Sequence, residues 1–111
     1  MKPEDLLPLS TPTYAILVTL GRSAMHGYGI IQTFEAASGQ EGVLLPGSLY
    51  NTIGRMIDQG LIEEVAAPEG QADGRRRFYQ ATDFGRAVAS AESRRLRTLL
   101  DMADAEGLAE A

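Results

Sequence analysis

The stretch from Leu45 to Leu61 constrains this chain most, because its apolar residues recur at the spacing of one helical face and both of its ends are punctuated. Leu49, Ile53, Met56 and Ile57 stand at i, i+4, i+7 and i+8, which describes a single buried stripe. At 100° per residue, Ser48, Asn51, Arg55 and Asp58 fall on the opposite side, and Tyr50 lies on the flank. Pro46 suits a first helical turn, where its missing N–H costs nothing, and Gly60 suits the left-handed residue that closes a helix. Gly47 and Gly54 lie near the polar side and let another surface approach the backbone closely. Such a short helix, with one face in a core and a bare outer face, reads as a recognition helix.

The chain around it is organised in order. Thr11 and Pro12 predict a helix start, and Tyr14 to Leu20 runs almost without polar relief to Gly21, so this helix is expected to be buried on nearly every side. Arg22 to Met25 reads as a turn. A second helix starts near His26 or Gly27, turns Ile30, Ile31, Phe34 and Ala37 inward, and ends at Gly39. After the recognition helix, Leu61 to Ala66 and Arg75 to Ala81 read as two strands of a hairpin joined by the long segment Ala67 to Gly74. Three helices followed by such a hairpin make the winged helix-turn-helix plan, in which the third helix enters the major groove and the wing touches the backbone.

Thr82 predicts the N-cap of a last helix, with Asp83 in its first turn, reaching about Ala105 over roughly 35 Å. Its apolar stripe moves around the axis: Phe84, Val88 and Ala91 cluster on one side, while Leu96, Leu99, Leu100 and Ala103 centre about 90° away. Two stripes imply two partners, the chain's own domain for the first half and a second chain for the other. Arg97 and Asp101 stand at pair-forming spacing on the solvent side. The expected fold is therefore mainly α with a small β-hairpin. It comprises an N-terminal arm over 1–10, a winged helix-turn-helix over 11–82 and a C-terminal dimerisation helix over 83–111.

Composition narrows the function. The chain of 111 residues is expected to be one domain near the size at which a long exposed helix needs a partner. It has no cysteine, which excludes disulfides and thiolate metal sites, and it carries no export signal and no run of membrane-spanning length, so the cytoplasm is the expected compartment. A net charge of −5 argues against a nucleic-acid partner, yet from Arg75 to Arg97 seven arginines stand against Asp83 and Glu92. With a screening length of about 8 Å, a docked phosphate responds to that local excess rather than to the total.

Asn51 suits adenine N6 and N7, and Arg55 suits guanine or a phosphate. Tyr50 and Ser48 are candidates for phosphate contact, as is at least one of Arg75, Arg76 and Arg77; Glu69 and Asp73 near the wing tip would oppose deep insertion. Arg94, Arg95 and Arg97 read as solubilising. His26 is the sole histidine and lacks the partners that a metal site or an acid/base centre needs; it reads as a helix-start hydrogen-bonding residue, and Tyr28 as packing. No enzyme, metal or cofactor is expected. Tyr14, Leu17, Leu96, Leu99, Leu100 and Ala103 are the expected dimer contacts. Tyr14, Phe84, Val88, Leu96 and Leu99 are the candidates for lining an effector pocket between subunits.

Five blocks in order carry a family resemblance: His26-Gly27-Tyr28-Gly29-Ile30, Gly47-Ser48-Leu49-Tyr50, Gly60-Leu61-Ile62, Arg76-Arg77-Phe78-Tyr79, and Thr82 with Gly85. Together they resemble the PadR-like transcriptional regulators, over about Tyr14 to Arg86, in the smaller form with a single C-terminal helix. The resemblance implies a homodimeric DNA-binding repressor released by a small apolar or aromatic effector, and a winged-helix homodimer is expected to bind a pseudo-palindromic operator. It also implies that Ser48, Tyr50, Asn51 and Arg55 face DNA and that Arg75 to Arg77 form the basic wing. The chain departs from the family in having Asn51 where proline is usual, Phe78-Tyr79 for Tyr-Tyr, and Leu45 where a serine or threonine commonly caps the third helix. The rival expectation is an effector-binding or protein-docking winged-helix dimer with weak DNA affinity, which the net acidity suits.

Overall fold

A computed structural model describes residues 1–68, 70 and 76–109 of the chain. After a short 3-10 turn over Pro3–Leu6 come α1 (Thr11–Leu20), β1 (Met25–His26), α2 (Gly27–Ser38) and α3 (Pro46–Asp58). The chain continues through β2 (Ile62–Val65), β3 (Phe78–Ala81) and α4 (Asp83–Ala105). The strands form an antiparallel sheet in the order β1-β3-β2, with Met25 opposite Tyr79, Glu64 opposite Tyr79 and Val65 opposite Phe78. This is a winged helix followed by a long helix. No helix of the described residues is long and apolar enough to cross a membrane.

The helix boundaries follow local chemistry. Ser10, rather than Thr11, caps α1: its Oγ accepts from the Thr13 N–H at 3.3 Å, and Pro12 then falls within the first turn, where no N–H is needed. Gly39 closes α2 with φ +70°, and Gly60 (φ +76°) follows the cap of α3. Thr82 caps α4 by accepting from the Gly85 N–H at 2.9 Å. The same hydroxyl donates to the Gly60 carbonyl at 2.6 Å, tying the start of α4 to the end of α3.

The core is built by Ala15, Ile16, Leu17 and Leu20 of α1, Ile30 and Ile31 of α2, Leu49, Ile53 and Met56 of α3, and Leu61, Ile62, Tyr79, Ala81 and Val88. Several expectations change. The buried stripe of α3 is Leu49, Thr52, Ile53 and Met56; Ile57 is 39% exposed, and Thr52 is buried because its hydroxyl donates to the Ser48 carbonyl at 3.3 Å. Val18 is 55% exposed, so α1 has one open side, and Ala37 at the end of α2 lies outside the core. The strands are shorter than expected, and Met25–His26, read as a turn and a helix start, adds a third strand because the chain there runs alongside β3. The Arg97–Asp101 pair is not formed; among the described residues Arg77 pairs with Glu64, Arg86 with Asp83 and Arg95 with Glu92.

The two stripes of α4 divide as the sequence suggests. Val88 and Ala91 are buried and Phe84 is half-buried, whereas Leu96, Leu99 and Leu100 are exposed and Ala103 is half-buried. Leu17, expected at a dimer contact, and Val88, expected at an effector pocket, are both consumed by the chain's own core because α1 and α4 pack together. Tyr14 is half-buried and its hydroxyl meets that of Ser93 at 2.6 Å.

Candidate nucleic-acid interface

The outer face of α3 arises from its helical phase. With Leu49, Thr52, Ile53 and Met56 turned inward, Ser48, Tyr50, Asn51 and Arg55 are all exposed on one short helix. Arg55 is lightly held, with Nη2 3.4 Å from the Thr52 hydroxyl, so its guanidinium is aimed without being neutralised. No side chain caps the α3 N-terminus, where Leu45 is the N-cap; Ser48 and Leu49 donate instead to the Leu45 carbonyl. Among the residues expected to face DNA, Arg75 lies outside the described residues, as do Glu69 and Asp73. Arg76 and Arg77 are exposed just before β3.

Tyr50 leaves the flank of α3 toward the start of α2. A Cβ on Gly27 would come within 2.6 Å of the Tyr50 hydroxyl and 3.1 Å of Leu49, so glycine at 27 is what lets the phenol lie against that helix. Beside it is a cleft of about 410 Å³ lined by His26, Tyr28, Tyr50, Arg76, Arg77 and Tyr79. It joins the α2 N-terminus, the flank of α3 and the end of the wing.

His26 does the helix-start work expected of it: Nδ1 accepts from the Gly29 N–H at 2.9 Å and caps α2. Its ring meets Phe78 edge to face at 5.4 Å, and its Nε2 lies 2.8 Å from Arg76 Nη1. Burial, and then the Arg76 charge, lower its pKa below the ordinary histidine value, which keeps the ring neutral at pH 7. Burial and the Glu64 carboxylate raise the pKa of Tyr79. The sequence did not mark His26 and Tyr28 as site residues, because a lone histidine and a tyrosine in a helix carry no signal until β3 is brought beside them.

A second feature without a sequence signal is Glu92, 1% exposed on α4. It accepts from the Leu9 N–H at 2.7 Å and from Arg95, whose Nη2 lies at 3.1 Å. Arg95 is thus engaged in the fold rather than only in solvent. This carboxylate anchors the residues before α1 and belongs to the scaffold.

The model of the transcriptional regulator PadR-like family matches residues 16–91. Among solved structures, a PadR family transcription regulator from Clostridium difficile R20291 superposes with a TM-score of 0.70 at 22% identity, over 84% of this chain and 94% of that one. A transcriptional regulator from Clostridium thermocellum gives 0.68 at 18% identity, over 84% and 86%. Bacillus subtilis PadR, solved in complex with operator DNA, gives 0.58 at 25% identity, over 71% of this chain and 44% of that one. No curated protein matches in sequence. The match over residues 16–91, on a winged helix whose third helix is bare on its outer side, places this chain in the PadR-like family of transcriptional regulators.

Proposed function

We propose that this protein binds duplex DNA in a sequence-specific manner as a homodimer and acts in the cytoplasm as a repressor released by a small effector. The observation that carries the reading is the face of α3, where Ser48, Asn51 and Arg55 are exposed together on a helix rigidly seated in the core. Asn51 offers a paired donor and acceptor to adenine, Arg55 a fork to guanine or phosphate, and Ser48 and Tyr50 hydroxyls to the backbone. Bacillus subtilis PadR, a relative of the same fold, was solved on operator DNA.

The exposed Leu96, Leu99 and Leu100 support a second copy as the partner of α4, since helix 83–105 otherwise leaves that stripe in water. In such a dimer the recognition helices would address successive major grooves about 34 Å apart. An apolar or aromatic effector would enter between subunits, against Tyr14, Phe84, Leu96 and Leu99. The test is a titration of the purified protein against its own upstream promoter and against a scrambled duplex, at two salt concentrations. Preferential binding to the promoter that weakens steeply with salt is expected; equal and feeble binding to both duplexes overturns the reading.

A further inference from the structure

The first residue of α2 seats two consecutive side chains of α3. Gly27 is buried, and the nearest atoms that a Cβ there would meet are the Tyr50 hydroxyl at 2.6 Å, the Tyr50 Cζ at 2.9 Å and the Leu49 Cδ2 at 3.1 Å. All three belong to the ends of side chains rather than to backbone. The two side chains have different fates. Leu49 is 3% exposed and belongs to the core, whereas Tyr50 is 59% exposed, with its phenol laid against α2 while the residue stays largely in solvent. A tyrosine on a helix has two usual χ1 settings, near 180° and −60°. The bare Cα at 27 leaves room for the one that is occupied, and contact with it holds the ring there.

We propose that Gly27 is a positioning residue for DNA binding: by lacking a Cβ it presets the Tyr50 phenol, so that the hydroxyl meets a backbone phosphate without first having to be ordered. The assignment rests on the DNA-binding reading above and adds to it a determinant that lies outside the recognition helix. An exposed side chain that still rotates is ordered only when the duplex arrives, and the entropy lost then is subtracted from affinity. Tyr50 loses that freedom on folding instead. The role is separable from stability, because a methyl group at 27 strikes the tip of a phenol that can swing outward and asks Leu49 to give by only a few tenths of an ångström. Gly27 lies within α2, where alanine is the better helix former.

The test is a double-mutant cycle on promoter binding with Gly27→Ala, Tyr50→Ala and the two together. Tyr50→Ala should bind roughly three- to tenfold more weakly, as expected for one lost hydrogen bond. Gly27→Ala should reproduce most of that loss with a melting midpoint near that of wild type, and the double variant should bind no more weakly than Tyr50→Ala alone. The salt slope should be unchanged in all three, since a neutral hydroxyl releases no counterion. In the free wild-type protein, nuclear Overhauser cross-peaks should join the Tyr50 ring protons to the Gly27 Hα protons.

A folded Gly27→Ala protein with wild-type affinity overturns the proposal. So does an equal loss from Gly27→Ala with and without the Tyr50 ring, since the methyl group then acts through Leu49 and the seating of α3. If Gly27→Ala does not fold, the other two measurements decide: the cross-peaks together with the Tyr50→Ala loss uphold the role, and the absence of either overturns it. A wild type that binds no duplex at low salt overturns the DNA reading and this role with it. A wild type that binds while Tyr50→Ala is indistinguishable from it overturns the role of Gly27 alone and leaves Asn51 and Arg55 as the readers.

Discussion

The backbone N–H of Leu9 donates to the Glu92 carboxylate at 2.7 Å, joining residues 83 positions apart. The hydrogen bonds from Arg95, then the Leu9 N–H and the Arg95 charge, hold the Glu92 carboxyl below its ordinary value against the opposing effect of burial. A carboxyl with a folded pKa below its unfolded one stabilises the fold fully above the ordinary value of 4.5, and that stability is lost as pH falls through the lowered value. Glu92→Leu should therefore cost about 1–3 kcal/mol at neutral pH by orphaning the Leu9 N–H. It should also flatten the acid side of the melting profile, read as thermal midpoint from about pH 7 to about pH 3. An equally steep acid limb in the variant would remove Glu92 from the groups responsible.

Gly85 sits against the Leu61 carbonyl, in the place where Thr82 ties α4 to the end of α3, and a Cβ there would strike backbone atoms. Backbone cannot swing aside as a long side chain does. Gly85→Ala should destabilise the protein by about 2 kcal/mol or more, measured by urea unfolding, because α4 must move away from the Leu61 backbone to make room.

The α3 face should separate binding from stability. Asn51→Ala and Arg55→Ala remove exposed side chains with at most one long hydrogen bond, so each should leave the unfolding free energy within about 0.5 kcal/mol of wild type. Each should weaken promoter binding by about 1–3 kcal/mol and relax the preference at one base pair. Fluorescence anisotropy with point-substituted duplexes checks this, and unaltered affinity in both variants would mean that another face reads DNA.

Leu99 and Leu100 are exposed on the half of α4 that runs beyond the domain core. If a second copy covers them, Leu99→Glu with Leu100→Glu should yield a monomer by sedimentation equilibrium while far-ultraviolet circular dichroism stays helical. The fold's own packing does not use either side chain. A variant that sediments as wild type would place the dimer contact elsewhere.

Much of this architecture was legible locally. Pro46 and Gly60 bracket α3, Thr82 starts α4, and Gly39 ends α2, because caps and breakers act within a few residues and need no tertiary partner. The drift of the α4 stripe from Val88 to Leu99 was likewise readable, since helical phase is an arithmetic property of the chain. The sheet was less accessible: Met25–His26 is too short to show alternation, and it is a strand only because β3 lies beside it.

The sequence by itself determined which helices form, where they stop and that Asn51 and Arg55 share a side of α3, because short-range sterics and periodicity decide those matters. Tertiary structure decided the exchange of Ile57 for Thr52 in the core, since the neighbours of a helix set its final rotation and a threonine hydroxyl can be satisfied by its own backbone. It also decided the pairing of Leu9 with Glu92 and of His26 with Arg76, contacts between residues 83 and 50 positions apart. Contacts of that reach have no signature in local pattern, because they exist only after the core has brought distant segments together.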